Sequence, residues 1–318
     1  MGVRLLNTFL QVRAQDVTKK LNLQELRNKR IVVDASIYMY RFRAANALIE
    51  NMYMLCSLFR YYGIHTLFVF DGKGRREAKR ETIQNRRKEK QRALDKYNEY
   101  ERQLSHTNGA KKDKIINKMG ELRRTFVRLS SDDMKNIKDL LDAYGIMYKV
   151  ADGEADELCA ALVLKGAAYA CLSEDTDLFA YGCPRVLKYI SLINHTTVMY
   201  DLSTILSRLD MSMESFRTMC LASGTDYIAK GERNIFQNYD LYKSYTDSGI
   251  NLDFIHWLSD NKYLENDTYK KIMDEDVLCR DTIKNTLNKI TYFFIRNRNV
   301  NHQKLKSVLK KDGFIFPQ

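Results

Sequence analysis

Three short apolar runs, each leading into a carboxylate, limit what this chain can fold into. RIVVD closes on Asp34, TLFVF is followed by Asp71, and the segment from Ala168 to Leu172 runs into SEDTD, which carries Asp175 and Asp177. Continuous β-branched and aromatic runs without polar alternation suit strands buried on both faces, as in a parallel sheet. Between them lie stretches of helical length. Ser36 offers a cap for a helix from Ile37 to about Tyr62, which Gly63 would close. This alternation predicts an α/β fold with a mainly parallel central sheet flanked by helices. Ligands of open parallel sheets sit beyond the carboxyl ends of the strands. Asp34, Asp71, Asp175 and Asp177 would all project there.

The stretch ADGEADELCAALVLKGAAYACLSEDTDLFAYG, Ala151 to Gly182, concentrates this chemistry. Glu154 and Asp156 open an apolar helical run, with Glu157 beside them, and Asp175 and Asp177 follow the strand-like segment. Crowded carboxylates raise one another's pKa unless a cation lies among them. Hard divalent ions with oxygen ligands, Mg²⁺ or Mn²⁺, are the usual answer. Each pair taken alone also fits a bland account, as helix-start acids favoured by the dipole or as turn formers. Two such pairs joined by one apolar βα-like segment favour the metal.

Charge is distributed unevenly. The net charge is +12, yet Lys73 to Arg128 holds 19 Lys/Arg against 8 Asp/Glu, and the remainder holds 33 against 32. That segment reads as helix polar on nearly every face, broken at SHTNGAKKD, then a second helix from Lys114 to about Phe126. Its apolar residues make no sustained heptad, which excludes a coiled coil. A solvated helical hairpin is the ordinary outcome for charge runs. Here the imbalance cannot neutralise itself and points to a polyanionic partner.

Elsewhere, residues 3 to 29 read as a short helix (Leu5 to Leu10) and a second amphipathic stretch ending at Arg27. Ser130 to Tyr148 reads as an amphipathic helix ending in a Gly145 turn, with Ser131 or Asp132 as its cap. A strand is expected at Val186 to Ile190, a hairpin-like piece at Thr196 to Tyr200, and a helix from Glu214 to Ala222. SGTDY then supplies a further acid, Asp226. The final 90 residues look helical, with aromatics suited to a core. The 6 scattered cysteines show no metal-binding spacing and suit a reducing compartment. No apolar run approaches the ~20 residues of a membrane span, so the expectation is a soluble intracellular protein.

MGVRLLNTFL, VVDASIYMYRF, FVFDGK, GEADELCAALV, LSEDTDLFAYG and ASGTDY, in this order and spacing, resemble the flap endonuclease/XPG family of structure-specific nucleases. The resemblance spans roughly residues 1 to 230. It implies a PIN-like nuclease core over 1–230, a basic helical arch inserted at about 73–128, and a helical C-terminal region over 231–318. It makes Asp34, Asp71, Glu154, Asp156, Asp175, Asp177 and Asp226 an acidic cluster around two Mg²⁺ ions, for which Mn²⁺ may substitute. Glu154, Asp156, Asp175 and Asp177 are the expected direct ligands, with Asp34, Asp71 and Asp226 acting partly through water or the outer shell. Lys79 and Arg86, seven apart on one helix face, would meet the scissile phosphate at the arch base; Arg80 and Arg87 would serve if the register shifted by one. Tyr40 would stack on the base beside the cut, and Gly2 would run close to the substrate junction.

The implied partner is branched, nicked or 5′-ended DNA, met in the nucleus or, for a viral protein, in host cytoplasm. The implied reaction is phosphodiester hydrolysis of the 5′ flap endonuclease or 5′–3′ exonuclease type. Three departures stand out. Asp156 occupies a position where cellular relatives carry Glu. DYIAKGERNIFQNYDLY lacks the G-x-G-P of the family's helix–two-turn–helix, which puts duplex grip and a monovalent cation site there in question. LKKDGFIFPQ lacks the spacing of a sliding-clamp motif. The competing readings are a ribonuclease on a related acid-lined fold and a non-catalytic DNA-binding scaffold; retention of all seven acids argues against the second.

Overall fold

A computed structural model describes residues 2–14, 16–72, 80–104, 109–228, 232–290 and 295–316. In chain order the elements are α1 (Leu6–Arg13), β1 (Thr18–Asn22), β2 (Arg30–Asp34), α2 (Ala35–Ala44), α3 (Leu48–Tyr61), β3 (His65–Phe70), α4 (Arg80–Leu104) and α5 (Ala110–Phe126). Then come α6 (Ser131–Ala143), β4 (Met147–Val150), α7 (Ala155–Leu164), β5 (Ala170–Leu172), α8 (Asp177–Ala180), β6 (Arg185–Ser191), β7 (Thr196–Asp201), α9 (Leu202–Leu209) and α10 (Met213–Ala222). The chain ends with α11 (Ile235–Asp247), α12 (Phe254–Asp260), α13 (Asn266–Lys289) and α14 (His302–Lys311).

Seven strands form one sheet in the order β1-β7-β6-β5-β2-β3-β4. β6, β5, β2, β3 and β4 are parallel, and β7 and β1 add an antiparallel edge. The apolar strand runs are explained by two hydrophobic layers. Val32, Leu67, Val69, Cys171 and Val186 face one core with α1, α7, α8 and α10. Ile31, Val33, Phe68, Phe70, Leu172 and Leu187 face the other with α2, α3 and α6. Alternate residues of one strand thus enter opposite cores, and each such side chain contributes roughly 1.5–3 kcal/mol on burial.

The C-terminal helices close both layers. Ile272, Cys279 and Ile283 of α13 join the first core, and Val308 and Leu309 of α14 join the second. Between these helices, Asn297 accepts from Thr66 N at 3.1 Å and donates to Ile64 O at 2.8 Å.

Four local expectations change. The stretch before Arg27 is strand β1 and a 3₁₀ turn, Leu23–Leu26, because β1 completes the sheet edge on β7. The helix expected from Ile37 to Tyr62 is two helices, broken at Asn46 with φ 58°; asparagine tolerates the left-handed region without the Gly or Pro that would have flagged a break. Helix α6 is capped by Ser130, whose Oγ accepts from Asp133 N at 3.0 Å, and residues 147–150 are strand β4. The two arch helices are not polar on every face. Ala93 and Met119 are buried, and the Tyr97 and Phe126 rings meet edge-on at 5.3 Å, so α4 and α5 pack along a thin apolar seam. No helix among the described residues is long and apolar enough to cross a membrane.

Candidate metal and phosphodiester site

The carboxyl ends of β2, β3 and β5 gather the acids. Asp34 is the last residue of β2 and is buried. One of its oxygens accepts from Ser173 Oγ at 3.0 Å, and the same Oγ accepts from Asp175 N at 3.0 Å. One hydroxyl thereby links the ends of two strands. Burial, with the nearby charges of Asp71 and Asp175, pushes the Asp34 carboxyl up to about 7. Asp71, just beyond β3, accepts from Ala155 N at 3.0 Å and so caps the start of α7, which carries Asp156. Glu154, the residue before that helix, accepts from Tyr227 Oη at 2.6 Å. Glu157 folds back as a cap, accepting from Glu154 N at 3.3 Å.

Asp156, Asp175 and Asp177 each offer an oxygen within 4.8 Å of the others. Asp175 also accepts from Asp177 N at 3.1 Å, which ties the pair into one turn. Three anionic oxygen donors converging this closely repel one another and fit a hard divalent cation, which takes oxygen ligands. Gly2 closes the site from the N-terminal side. Its φ is +87°, and a Cβ there would lie 2.2 Å from Asp175 Oδ1 and 2.5 Å from Thr176 Oγ1. Only glycine lets the chain pass this close. The neighbouring Val3 accepts from Thr176 Oγ1 at 3.2 Å.

Arg86 of α4 reaches across to Asp226, with Nη2 2.6 Å from both carboxylate oxygens. This contact ties α4 to the SGTDY turn that follows α10. Arg87 is exposed. Lys79 and the side chain of Arg80 lie outside the described residues. Tyr40 is 42% exposed on α2, with Lys90 Nζ 6.0 Å from its ring centroid. Burial, with the like charges of Arg128 and Arg86, lowers the Lys90 pKa. Arg86 and Lys90 thus share one face of α4 beside Tyr40. A pocket of about 530 Å³ opens next to Asp226, lined by Gly2, Arg4, Asn7, Asn85, Arg86 and Thr225 among others.

The seven sequence-selected acids are not placed alike. Asp156, Asp175 and Asp177 form the tight group; Asp34 is linked to Asp175 through Ser173, and Asp71 to the start of α7 through Ala155 N; Glu154 is held by Tyr227 and Asp226 by Arg86. Sequence reasoning assigns no role to Ser173, Tyr227 or Lys90. The first two sit inside the motifs SEDTD and SGTDY, where a hydroxyl beside a candidate acid is a usable signal. Lys90 follows Arg86 by four residues, the helical spacing that places side chains together.

Comparison with known proteins agrees with this picture. The XPG N-terminal domain matches residues 1–93 and the XPG I-region matches residues 145–226. Flap endonuclease 1 of Methanococcus aeolicus is 28% identical over 233 residues, covering 68% of this chain and 68% of its own length. The probable RAD2-like endonuclease 369L of Invertebrate iridescent virus 6 is 25% identical over 282 residues, covering 71% of this chain and 67% of its own. Among solved structures, the catalytic core of Rad2 in complex with DNA substrate superposes with a TM-score of 0.67 at 22% identity, covering 98% of this chain and 95% of that one. Human GEN1 in complex with Holliday junction DNA gives 0.63 at 19% identity, covering 98% and 74%.

Fold and site together define a metal-dependent phosphodiesterase on a PIN-like α/β scaffold. The two domain matches jointly cover more than half of the chain and make the assignment specific. The chain belongs to the flap endonuclease/XPG family of structure-specific DNA nucleases, which act in replication, repair or recombination.

Proposed function

We propose that this protein cuts branched, nicked or 5′-ended DNA by Mg²⁺-dependent hydrolysis of the flap endonuclease type, leaving a 5′-phosphate and a 3′-hydroxyl. The observations that carry the reading are the convergence of Asp156, Asp175 and Asp177 on one cation-sized space and the pairing of Arg86 from the basic arch with Asp226. Glu154, Asp156, Asp175 and Asp177 would bind two Mg²⁺ ions directly, with Asp34, Asp71 and Asp226 contributing from the outer shell. When bound, the ions supply an activated water and a charge clamp on the phosphodiester.

The chain's own groups do the rest. Arg86, held at the site by Asp226, can turn its guanidinium to the scissile phosphate and favour the extra negative charge of the transition state. Tyr40, exposed beside Lys90, offers a ring for the base next to the cut. Ser173 and Tyr227 fix the orientation of the acids they touch. The cations of α4 and α5 track the backbone of a single strand without reading sequence. Residues 1–230 act as the nuclease core, 73–128 as the arch, and 231–318 as helices that brace both faces of the sheet. The protein works where DNA is copied or repaired.

The test is cleavage of end-labelled flap, nicked, gapped and Holliday-junction substrates by purified protein in Mg²⁺ or EDTA. Mg²⁺-dependent cuts at the branch point are expected. Cutting in EDTA, or no cutting of any member of the panel, refutes the reading.

A further inference from the structure

Directly behind the turn that presents Asp175 lies a lysine that the proposed chemistry does not use. Lys188, in the middle of β6, has no solvent exposure. Its Nζ donates to the backbone carbonyl of Glu174 at 2.7 Å, and the Tyr189 ring lies 5.9 Å away at the centroid. A buried ammonium hydrogen-bonded to a neutral carbonyl is costly, and a hydrophobic side chain of the same shape is generally tolerated as well or better. Fold stability therefore does not account for a charge here.

The surrounding backbone is also unusual. Tyr189 has φ 57°, a left-handed conformation that a bulky residue adopts only under constraint. The β6–β7 ladder is irregular between Lys188 and Ser191, and Thr197 Oγ1 donates to Lys188 O at 2.9 Å. This irregularity turns Tyr189 N onto Glu174 Oε1 at 2.8 Å. Tyr38 Oη donates to the same oxygen at 3.4 Å, and Arg41 pairs with it at 3.6 Å. Glu174 is thus held by its carbonyl from Lys188 and by its carboxylate from three further groups. It lies between Ser173, which is bonded to Asp34, and Asp175, which belongs to the metal group. Two costly features occur in adjacent residues, and both act on one residue of the metal-presenting turn. Such local costs mark functional constraint.

We propose that Lys188 is a positioning residue for the metal site: its ammonium holds the Glu174 carbonyl and thereby fixes the direction of the Asp175 carboxylate. Its charge also lies among Glu174 and Asp175, where burial lowers its pKa and those acids raise it. The proposal rests on the metal-binding reading above.

The test is Mn²⁺ binding by titration calorimetry in the absence of DNA, with wild type and Lys188→Met. Removing an outer partner of a metal ligand typically weakens metal affinity 10–100-fold. A rise of about tenfold or more in the Mn²⁺ dissociation constant is therefore expected for Lys188→Met. Its melting temperature in EDTA should be equal to or above that of wild type, and its DNA affinity in EDTA unchanged. The Mg²⁺ concentration for half-maximal cleavage should rise in parallel, with kcat recovering at saturating Mg²⁺. Should the Met variant not fold, Lys188→Gln, too short to reach the carbonyl, should show the same loss. Unchanged Mn²⁺ affinity in a folded variant overturns the proposal. So does tighter binding, the result expected if Lys188 merely repels the cation. Failure of wild type to bind Mn²⁺ would instead strike at the metal-binding reading.

Discussion

Asp34→Asn should stabilise the metal-free protein and draw less stability than wild type from bound metal. Asp34 is 5% exposed, and burial plus the charges of Asp71 and Asp175 raise its carboxyl from 3.8 to about 7. A raised folded-state pKa means that folding favours the protonated form. The associated stability is fully present below about pH 4 and is lost as pH rises through 7. Across that window the difference between 3.8 and about 7 corresponds to about 4 kcal/mol. An uncharged amide of the same shape escapes this loss. Asn can still hydrogen-bond Ser173, so the local geometry persists.

Urea denaturation in EDTA between pH 4 and 8.5 should show the two proteins nearly equal at pH 4. Asp34→Asn should gain steadily towards pH 8, to a difference of about 4 kcal/mol or less. With divalent metal the gap should narrow, because a ligand at 100 times its Kd stabilises the native state by about 3 kcal/mol, and the variant forfeits part of that. A pH-independent difference in EDTA, or a variant less stable than wild type at pH 8 without metal, would refute the account of Asp34 as a repelled, buried carboxyl.

Four further outcomes are expected. Asp175→Ala and Asp177→Ala should abolish cleavage while DNA binding in EDTA, measured by fluorescence anisotropy, is kept; normal turnover in both would remove the acids from the chemistry. Arg86→Ala should slow single-turnover cleavage by roughly 10²–10³ with a far smaller change in affinity, and Arg87→Ala, on the exposed side, should have the lesser effect. Replacing Lys90, Arg92 and Lys96 with Gln should flatten the dependence of log K on log salt by up to about 0.7 for each phosphate of single-stranded DNA that is no longer neutralised; an unmoved slope would make the arch an ordinary solvated face. Tyr227→Phe should weaken Mn²⁺ binding about tenfold through Glu154 with little change in melting temperature, as calorimetry and a thermal melt would show.

Much of the fold is legible in the order of residues. Runs such as RIVVD and TLFVF have the two-sided apolar character that only a covered parallel strand satisfies, so β2 and β3 can be placed within a residue. The break between α2 and α3 is not legible, since Asn46 enters the left-handed region without a glycine or proline to mark it. Strand β1 reads only as part of an amphipathic stretch because its pattern, exposed on four of five residues, becomes a strand only when β7 supplies its hydrogen bonds. The arch seam is hidden in the sequence because Ala93, Tyr97, Met119 and Phe126 lie on two different helices and make a stripe only once these pair.

By itself the sequence determined which side chains could do the chemistry: acids at the ends of strands and the start of a helix, and cations concentrated in one insertion. Chemical type and periodicity are local properties, written along the chain. Tertiary structure alone decided which of those acids share a cation-sized space, that Arg86 closes on Asp226, and that Ser173, Tyr227 and Lys188 hydrogen-bond to Asp34, Glu154 and the Glu174 carbonyl. Hydrogen bonds extend only about 3 Å, so partners separated by many residues in the chain become visible only after the sheet has brought their strands side by side.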